Sequence, residues 1–164
     1  MRISCILQGR IRAIKQKYLY HMVNAKIKHD CKEELNEVEL RATPARIALM
    51  KFLESSDKPL DVQAMIDYLN QKDVKTDPAT VFRIVNMFKE KGLLQSIQFH
   101  EGKFRYELSS KPHHHHFVCE QCGAIQDISD FSIKTLEENI QKKRQIKITS
   151  HSLEFFGLCQ NCQK

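Results

Sequence analysis

Residues 77–108 read DPATVFRIVNMFKEKGLLQSIQFHEGKFRYEL, and this run decides the fold. Asp77-Pro78 is a cap-plus-proline helix start: the aspartate oxygen can satisfy an orphaned backbone N–H, and proline's fixed φ suits the first helical position. Val81, Ile84, Val85 and Phe88 then recur at spacings of three and four, which gives the helix one apolar face. Gly92 supplies a C-cap. Two β runs follow, Leu93–Phe99 and Phe104–Leu108, turned by Glu101-Gly102.

Upstream the same grammar repeats. Thr43-Pro44 reads as an N-cap followed by proline, opening a helix through Ile47, Leu49, Met50, Phe52 and Leu53. Pro59 precedes a further helix with Val62, Met65, Ile66 and Leu69, and Cys31–Leu40 reads as a short amphipathic helix carrying Leu35, Val38 and Leu40. Several short helices followed by a hairpin is the layout of a winged helix-turn-helix, whose last helix enters the major groove. It is equally the layout of a small α+β domain that touches no nucleic acid, and the pattern alone leaves both open.

Downstream, composition changes at Ser109-Ser110-Lys111-Pro112, which is read as a domain boundary. Beyond it lie two C-x-x-C knuckles, Cys119-Glu-Gln-Cys122 and Cys159-Gln-Asn-Cys162, with 36 residues between them. Each two-residue gap lets a tight turn, aided by Gly123 in the first, aim both sulfurs at one ion. Four thiolates suit tetrahedral Zn²⁺ in a structural role, because no coordination position stays open. Two disulfides or a redox pair are the competing readings; a cytoplasmic chain disfavours the first and the absence of a thioredoxin-like context the second. Cys5 and Cys31 fall outside the pattern.

His113-His114-His115-His116 leads into apolar Phe117-Val118, a run fit for a strand. Alternation then puts His113 and His115 on one side and His114 and His116 on the other, so one segment can serve two metal sites. Further ligands must come from β-like runs elsewhere, with Glu107 in Tyr106–Leu108, Asp127 in Ile125–Ile128 and His151 in Ile146–Phe156 as candidates.

Composition bounds the rest. At 164 residues and 41% hydrophobic, the chain can bury one modest core or two small ones. No apolar run approaches the roughly 20 residues of a membrane span. The net charge of +6 suggests a polyanionic partner, yet residues 1–28 hold seven of the 26 basic residues and no acid, leaving 19 bases against 20 acids in 29–164. DNA binding must therefore rest on local patterning. The opening Met1-Arg2 with Ile3, Cys5, Ile6 and Leu7 imitates a secretory signal, but Gln8-Gly9-Arg10 ends it too early, so a cytoplasmic location is expected. Met22 is an alternative start.

From about residue 35 to 162 the chain resembles the ferric uptake regulator family of bacterial metalloregulators. Carrying the resemblance are Arg41-Ala-Thr-Pro-Ala-Arg46, Asp77-Pro-Ala-Thr-Val-Phe-Arg83, Phe104-Arg-Tyr-Glu-Leu108, His113–Gly123 and His151-Ser-Leu-Glu-Phe-Phe-Gly-Leu-Cys159. It implies an α+β protein: a basic, candidate-disordered extension over 1–28, a winged-helix DNA-binding domain over 29–109, and a small α/β dimerisation and metal-binding domain over 113–164 with a Cys₄ zinc site. Thr80, Phe82 and Arg83 fall on the recognition helix, with phenylalanine where the family has tyrosine. Arg41, Thr43 and Arg46 fall in the segment whose basic residues meet the DNA backbone or minor groove.

Glu107, His114, His116 and Asp127 match a regulatory site for Fe²⁺, Zn²⁺ or Mn²⁺ that bridges the domains. The histidine which the family adds falls here at Pro59, and His100 is a substitute candidate. His113, His115 and His151 match a second metal site whose glutamate is replaced by Lys134. The implied function is a metal-dependent homodimeric repressor of metal homeostasis genes that binds a double-stranded DNA operator.

Three alternatives stand beside it. Asp127 also resembles the peroxide-sensing branch, in which bound Fe²⁺ drives oxidation of a ligand histidine. A zinc-ribbon interaction module would explain the cysteines without sequence-specific DNA reading. A zinc hydrolase or deaminase would explain the His/Cys richness, but Val118 stands where the deaminase pattern needs proline and its H-x-E is absent; the chain is read as no enzyme.

Overall fold

The computed structural model describes residues 30–129 and 131–164, with backbone alone over 131–134. The extension over 1–28 and the alternative start at Met22 lie outside the described residues. The chain divides into two compact units, with the division falling between Pro112 and His113 in the sequence.

Among the described residues of the first unit four helices precede a hairpin: α1 (Cys31–Glu37), α2 (Pro44–Ser55), α3 (Val62–Gln71), α4 (Pro78–Glu90), β1 (Leu94–Gln98) and β2 (Phe104–Leu108). Aspartates cap three of the helices. Asp30 accepts from the Lys32 N–H at 2.8 Å, Asp61 from Ala64 at 2.9 Å and Asp77 from Thr80 at 2.9 Å. Thr43 occupies the N-cap of α2, but its side chain makes no capping hydrogen bond. Helix α1 stops at Glu37 rather than Leu40, because Glu39 enters the left-handed region (φ 64°) and the Leu40 N–H folds back to the Leu35 carbonyl.

Alternate turns of the helices point at one core, where Leu35, Leu49, Met50, Leu53, Met65, Leu69, Val81, Val85 and Phe88 are almost inaccessible. In the hairpin Leu94 lies opposite Leu108 and Gln98 opposite Phe104, and Leu60 adds an antiparallel bridge to Tyr106.

The second unit is a mixed sheet in the order β4-β3-β5, made of β3 (His115–Cys119), β4 (Ile125–Ile128) and β5 (Glu154–Gly157), with α5 (Phe131–Arg144) between β4 and β5. β4 runs antiparallel to β3, and β5 runs parallel to it. Of the β-like run Ile146–Phe156, only the segment from Glu154 onward is strand. Gln145 turns left-handed (φ 53°), and the N–H groups of Ile146 and Ile148 donate to the carbonyl and side chain of Gln141. Those donors are spent on the end of α5 and cannot join a ladder.

Asp61 ties two elements of the first unit together, since it caps α3 and also takes a 2.6 Å ion pair from Lys103 in the hairpin. Burial alone would raise its pKa, but the Lys103 and Ala64 hydrogen bonds and the Lys103 charge more than reverse that and hold it below the usual value. Its stabilising contribution is therefore complete above the ordinary carboxylate pKa of 3.8 and is lost as pH falls through the lower folded-state value. Asp61→Ala is expected to cost about 1 kcal/mol in urea denaturation at neutral pH, and Asp61→Asn, which keeps an acceptor for Ala64, less. The Asp61→Ala deficit should shrink when the titration is repeated in acid.

Candidate functional site

The parallel pairing of β3 with β5 sets Cys119 opposite Gly157, and the Glu120 N–H donates to the Gly157 carbonyl at 2.8 Å. That contact carries the second cysteine knuckle to the first. A tight turn closes the first knuckle, with Gly123 at φ 69° and its N–H on the Cys119 carbonyl. The Cys162 N–H donates to the Cys159 carbonyl and closes the second. Cys119, Cys122, Cys159 and Cys162 converge, all four sulfurs lying within 4.8 Å of one another and none in a disulfide.

The Cys122 and Cys159 sulfurs are 3.7 Å apart. Sulfurs at the corners of a tetrahedron with metal–sulfur bonds of about 2.3 Å are separated by roughly 3.8 Å, so the donors fit a zinc ion. Backbone N–H groups of Cys122 and Cys159 aimed at Cys119 lower its thiol pKa to about 6, which favours thiolate at neutral pH. Cys162 is pushed up to about 12, because side-chain hydrogen bonds with Cys159 and Cys122 hold its proton. A cation bound here would displace that proton.

The histidine run divides as alternation requires, although β3 itself begins only at His115. On one side His113, His115 and His151 form a triangle with ring centres 4.8, 4.9 and 5.0 Å apart. Three imidazoles on one tetrahedral ion, with metal–nitrogen bonds of about 2.0 Å, have ring centres roughly 5 Å apart. His115 Nδ1 faces the Leu153 carbonyl at 3.2 Å, while its Nε2 is buried without a hydrogen-bond partner. Burial, opposed by the Leu153 bond, lowers the His115 pKa, so the ring is neutral and able to ligate at neutral pH. His151 Nδ1 faces Glu137 Oε1 at 2.7 Å.

On the other side His114 and His116 bring their Nε2 atoms to 3.1 Å. Two lone pairs that close repel unless a proton or a cation lies between them. Asp127 sits opposite His116 in the β3–β4 register, with one oxygen 3.8 Å from each histidine. Its carboxylate is placed to complete a mixed nitrogen and oxygen donor set.

In the first unit Glu107 lies on β2 and is only 2% exposed; Gln95 donates to it at 2.6 Å and the Lys111 ammonium is 3.6 Å away. The hairpin register puts Glu107 opposite Gln95, whereas His100 stands in the turn beyond the Gln98–Phe104 pair with φ 55°. Pro59 is fully buried and has no donor to offer.

Helix α4 turns Val81, Ile84, Val85 and Phe88 inward and leaves Phe82 and Arg83 exposed, Phe82 at 52%. Thr80 donates its hydroxyl to Asp77 at 2.6 Å and accepts from Arg83 at 3.2 Å, bracing the arginine. Hydrogen bonds from the Thr80 hydroxyl and N–H hold the Asp77 carboxyl below the usual range. Arg41 is exposed, and its carbonyl accepts from Arg46, whose other nitrogen points at the Met87 sulfur of α4. Thr43 is half-buried.

Sequence reasoning missed Glu137. It looked for a carboxylate at Lys134, and the two positions are three apart on α5, neighbours on one helix face. A search one turn along would have found it.

These geometries are matched elsewhere. The ferric uptake regulator family model covers residues 37–156. The ferric uptake regulation protein of Bordetella parapertussis is 32% identical over 132 residues, 80% of this chain and 95% of that one. The Helicobacter pylori ferric uptake regulator, whose structure is described as revealing three functional metal binding sites, superposes with a TM-score of 0.72 at 25% identity over 92% of this chain and 94% of that one. The Vibrio cholerae regulator, described through a rearrangement of its DNA-binding domains, gives 0.71 at 29% identity over 79% of this chain and all of that one. A winged-helix unit followed by a cysteine-knuckled sheet bearing histidines on both sides, matched by the family model along most of its length, makes this chain a metalloregulator of the ferric uptake regulator family.

Proposed function

We propose that the protein is a metal-dependent, DNA-binding transcriptional repressor, active as a homodimer, that senses a divalent cation and controls metal homeostasis genes. The observation that carries this reading is the His114–His116–Asp127 group, a nitrogen and oxygen set suited to Fe²⁺, Zn²⁺ or Mn²⁺, which stands in the same chain as a helix exposing Phe82 and Arg83. Its relatives from Helicobacter and Vibrio, with their metal sites and DNA-binding domains, support it.

In this reading His114, His116 and Asp127 of the second unit share an ion with Glu107 of the first. Ligands drawn from both units give the ion a higher affinity for one arrangement of those units, and by linkage that arrangement gains population. Arg83, braced by Thr80, is offered to a base edge and Phe82 to a thymine methyl. Arg41, Arg46 and Thr43 serve backbone or groove contacts. Cys119, Cys122, Cys159 and Cys162 hold a structural Zn²⁺, and His113, His115 and His151 a second ion. Leu136 and Ile140, one turn apart on α5, together with Phe155 and Leu158, leave apolar surface exposed on a unit with few buried side chains, which supports pairing with a second copy.

Fluorescence anisotropy on promoter DNA from the native host tests the switch. At least about tenfold tighter binding is expected with the divalent ion than without it, a coupling of about 1.4 kcal/mol. His116→Ala should abolish that response and leave the cysteine-bound zinc in place by metal analysis. Equal affinity with and without metal would refute the reading. Arg83→Ala should weaken specific binding by about 1–3 kcal/mol, and log affinity should fall linearly with log salt. Loss of DNA affinity on peroxide treatment, with a gain of one oxygen on the His114–His116 peptide, would instead assign a peroxide sensor.

Cys159→Ser is expected to remove one zinc per chain by native mass spectrometry and to destabilise the second unit. Retention of that zinc would overturn the Cys₄ assignment.

A further inference from the structure

Glu137 and the Leu153 carbonyl do the same thing to two different rings. Leu153 O lies 3.2 Å from His115 Nδ1, and Glu137 Oε1 lies 2.7 Å from His151 Nδ1. Both partners only accept, so each Nδ1 carries a proton, and in the neutral ring Nε2 keeps its lone pair. His115 Nε2 is buried with no hydrogen-bond partner, an arrangement that costs free energy unless something else takes the lone pair. His113 completes a near-equilateral triangle of rings, and one ring nitrogen of each lies within 4.8 Å of the other two. Among the described residues this donor group contains no carboxylate. Glu137 cannot ligate through Oε1 while that atom accepts the His151 proton at 2.7 Å.

We infer that Glu137 is the positioning residue that fixes His151 as an Nε2 donor, and that His113, His115 and His151 form an all-imidazole site for a Zn²⁺-like ion. A carboxylate behind a ligating histidine sets its tautomer and raises its basicity. Three imidazoles suit zinc and copper, whereas manganese and magnesium prefer oxygen donors. With three protein ligands the site keeps a position open to solvent, unlike the four-cysteine group, so its ion can exchange. The inference rests on the proposed reading that this triangle holds a divalent cation.

The test uses the full chain with its cysteine site zinc-loaded and with His116→Ala silencing the other imidazole pair. Zn²⁺ and Mn²⁺ are titrated against a chromophoric chelator, and the ring tautomers are read by long-range ¹⁵N NMR. His151 should be an Nδ1–H tautomer in the parent. Glu137→Ala should scramble it and weaken Zn²⁺ binding by about 10–100-fold. Glu137→Gln, which still offers an accepting oxygen, should keep the tautomer and lose less affinity. His115→Asp, which adds a carboxylate, should narrow the preference for Zn²⁺ over Mn²⁺ by roughly tenfold.

An unchanged tautomer and zinc affinity within twofold in Glu137→Ala would overturn the positioning role. Carboxylate coordination in the X-ray absorption spectrum of the zinc form would overturn the all-imidazole site. If the parent binds no ion that His113→Ala removes, the underlying metal reading of this triangle fails, an outcome distinct from either.

Discussion

The parallel pairing of β3 with β5 is the constraint on which the second unit depends. Strands that run parallel need a long connection, and here the connection contains α5 and the stretch leading to His151. One pairing event thus delivers three things to β3: the second cysteine knuckle, His151, and Glu137 on the intervening helix. Hydrophobic burial could not enforce this alone. Among the described residues the buried ones of this unit are Val118 with two cysteines and two histidines, a small core to set against the ordering of about 50 residues. In the proposed reading coordination and pairing with a second copy supply what the apolar area of one chain does not.

The same strand enforces a second economy. Side chains alternate, so His113 and His115 face one way while His114 and His116 face the other, and the two groups differ chemically because of what faces them. Asp127, across from His116 on β4, brings carboxylate oxygens to its side. The far side receives His151, and the carboxylate that arrives there stands behind the ring. A slip of one residue in the β3–β4 register would exchange the faces and pair Asp127 with the wrong histidines.

Much of this was legible in the sequence because the signals are local. C-x-x-C spacing, the Asp-Pro helix start at Asp77 and strict alternation in the histidine run each state a geometry within a few residues. What was not legible required knowing which elements meet. Glu137 is invisible until α5 is seen to carry it back to His151, fourteen residues later. The position of His100 relative to Glu107 likewise needed the hairpin register, which puts Glu107 opposite Gln95 and His100 in the turn. The run Ile146–Phe156 has β-like composition throughout, but Gln141 captures its early donors, and only the segment from Glu154 onward pairs. Thr43 carried a capping residue's identity without making the bond.

The two units are stabilised by different physics, and this bears on how a cation can act as a signal. The first buries a continuous apolar core from its described helices and the hairpin. In the proposed reading the cysteine group and the three-histidine group take their ligands from residues 113–164, so ions held there stabilise that unit. Coupling needs a ligand from each side. In the proposed reading that burden falls on Glu107, a carboxylate that is already buried and already engaged by Gln95 and Lys111. Removing a carboxylate from such partners costs free energy, and an ion that recruits it must offset that cost. In that reading the response is tuned as much by what holds Glu107 in the first unit as by His114, His116 and Asp127.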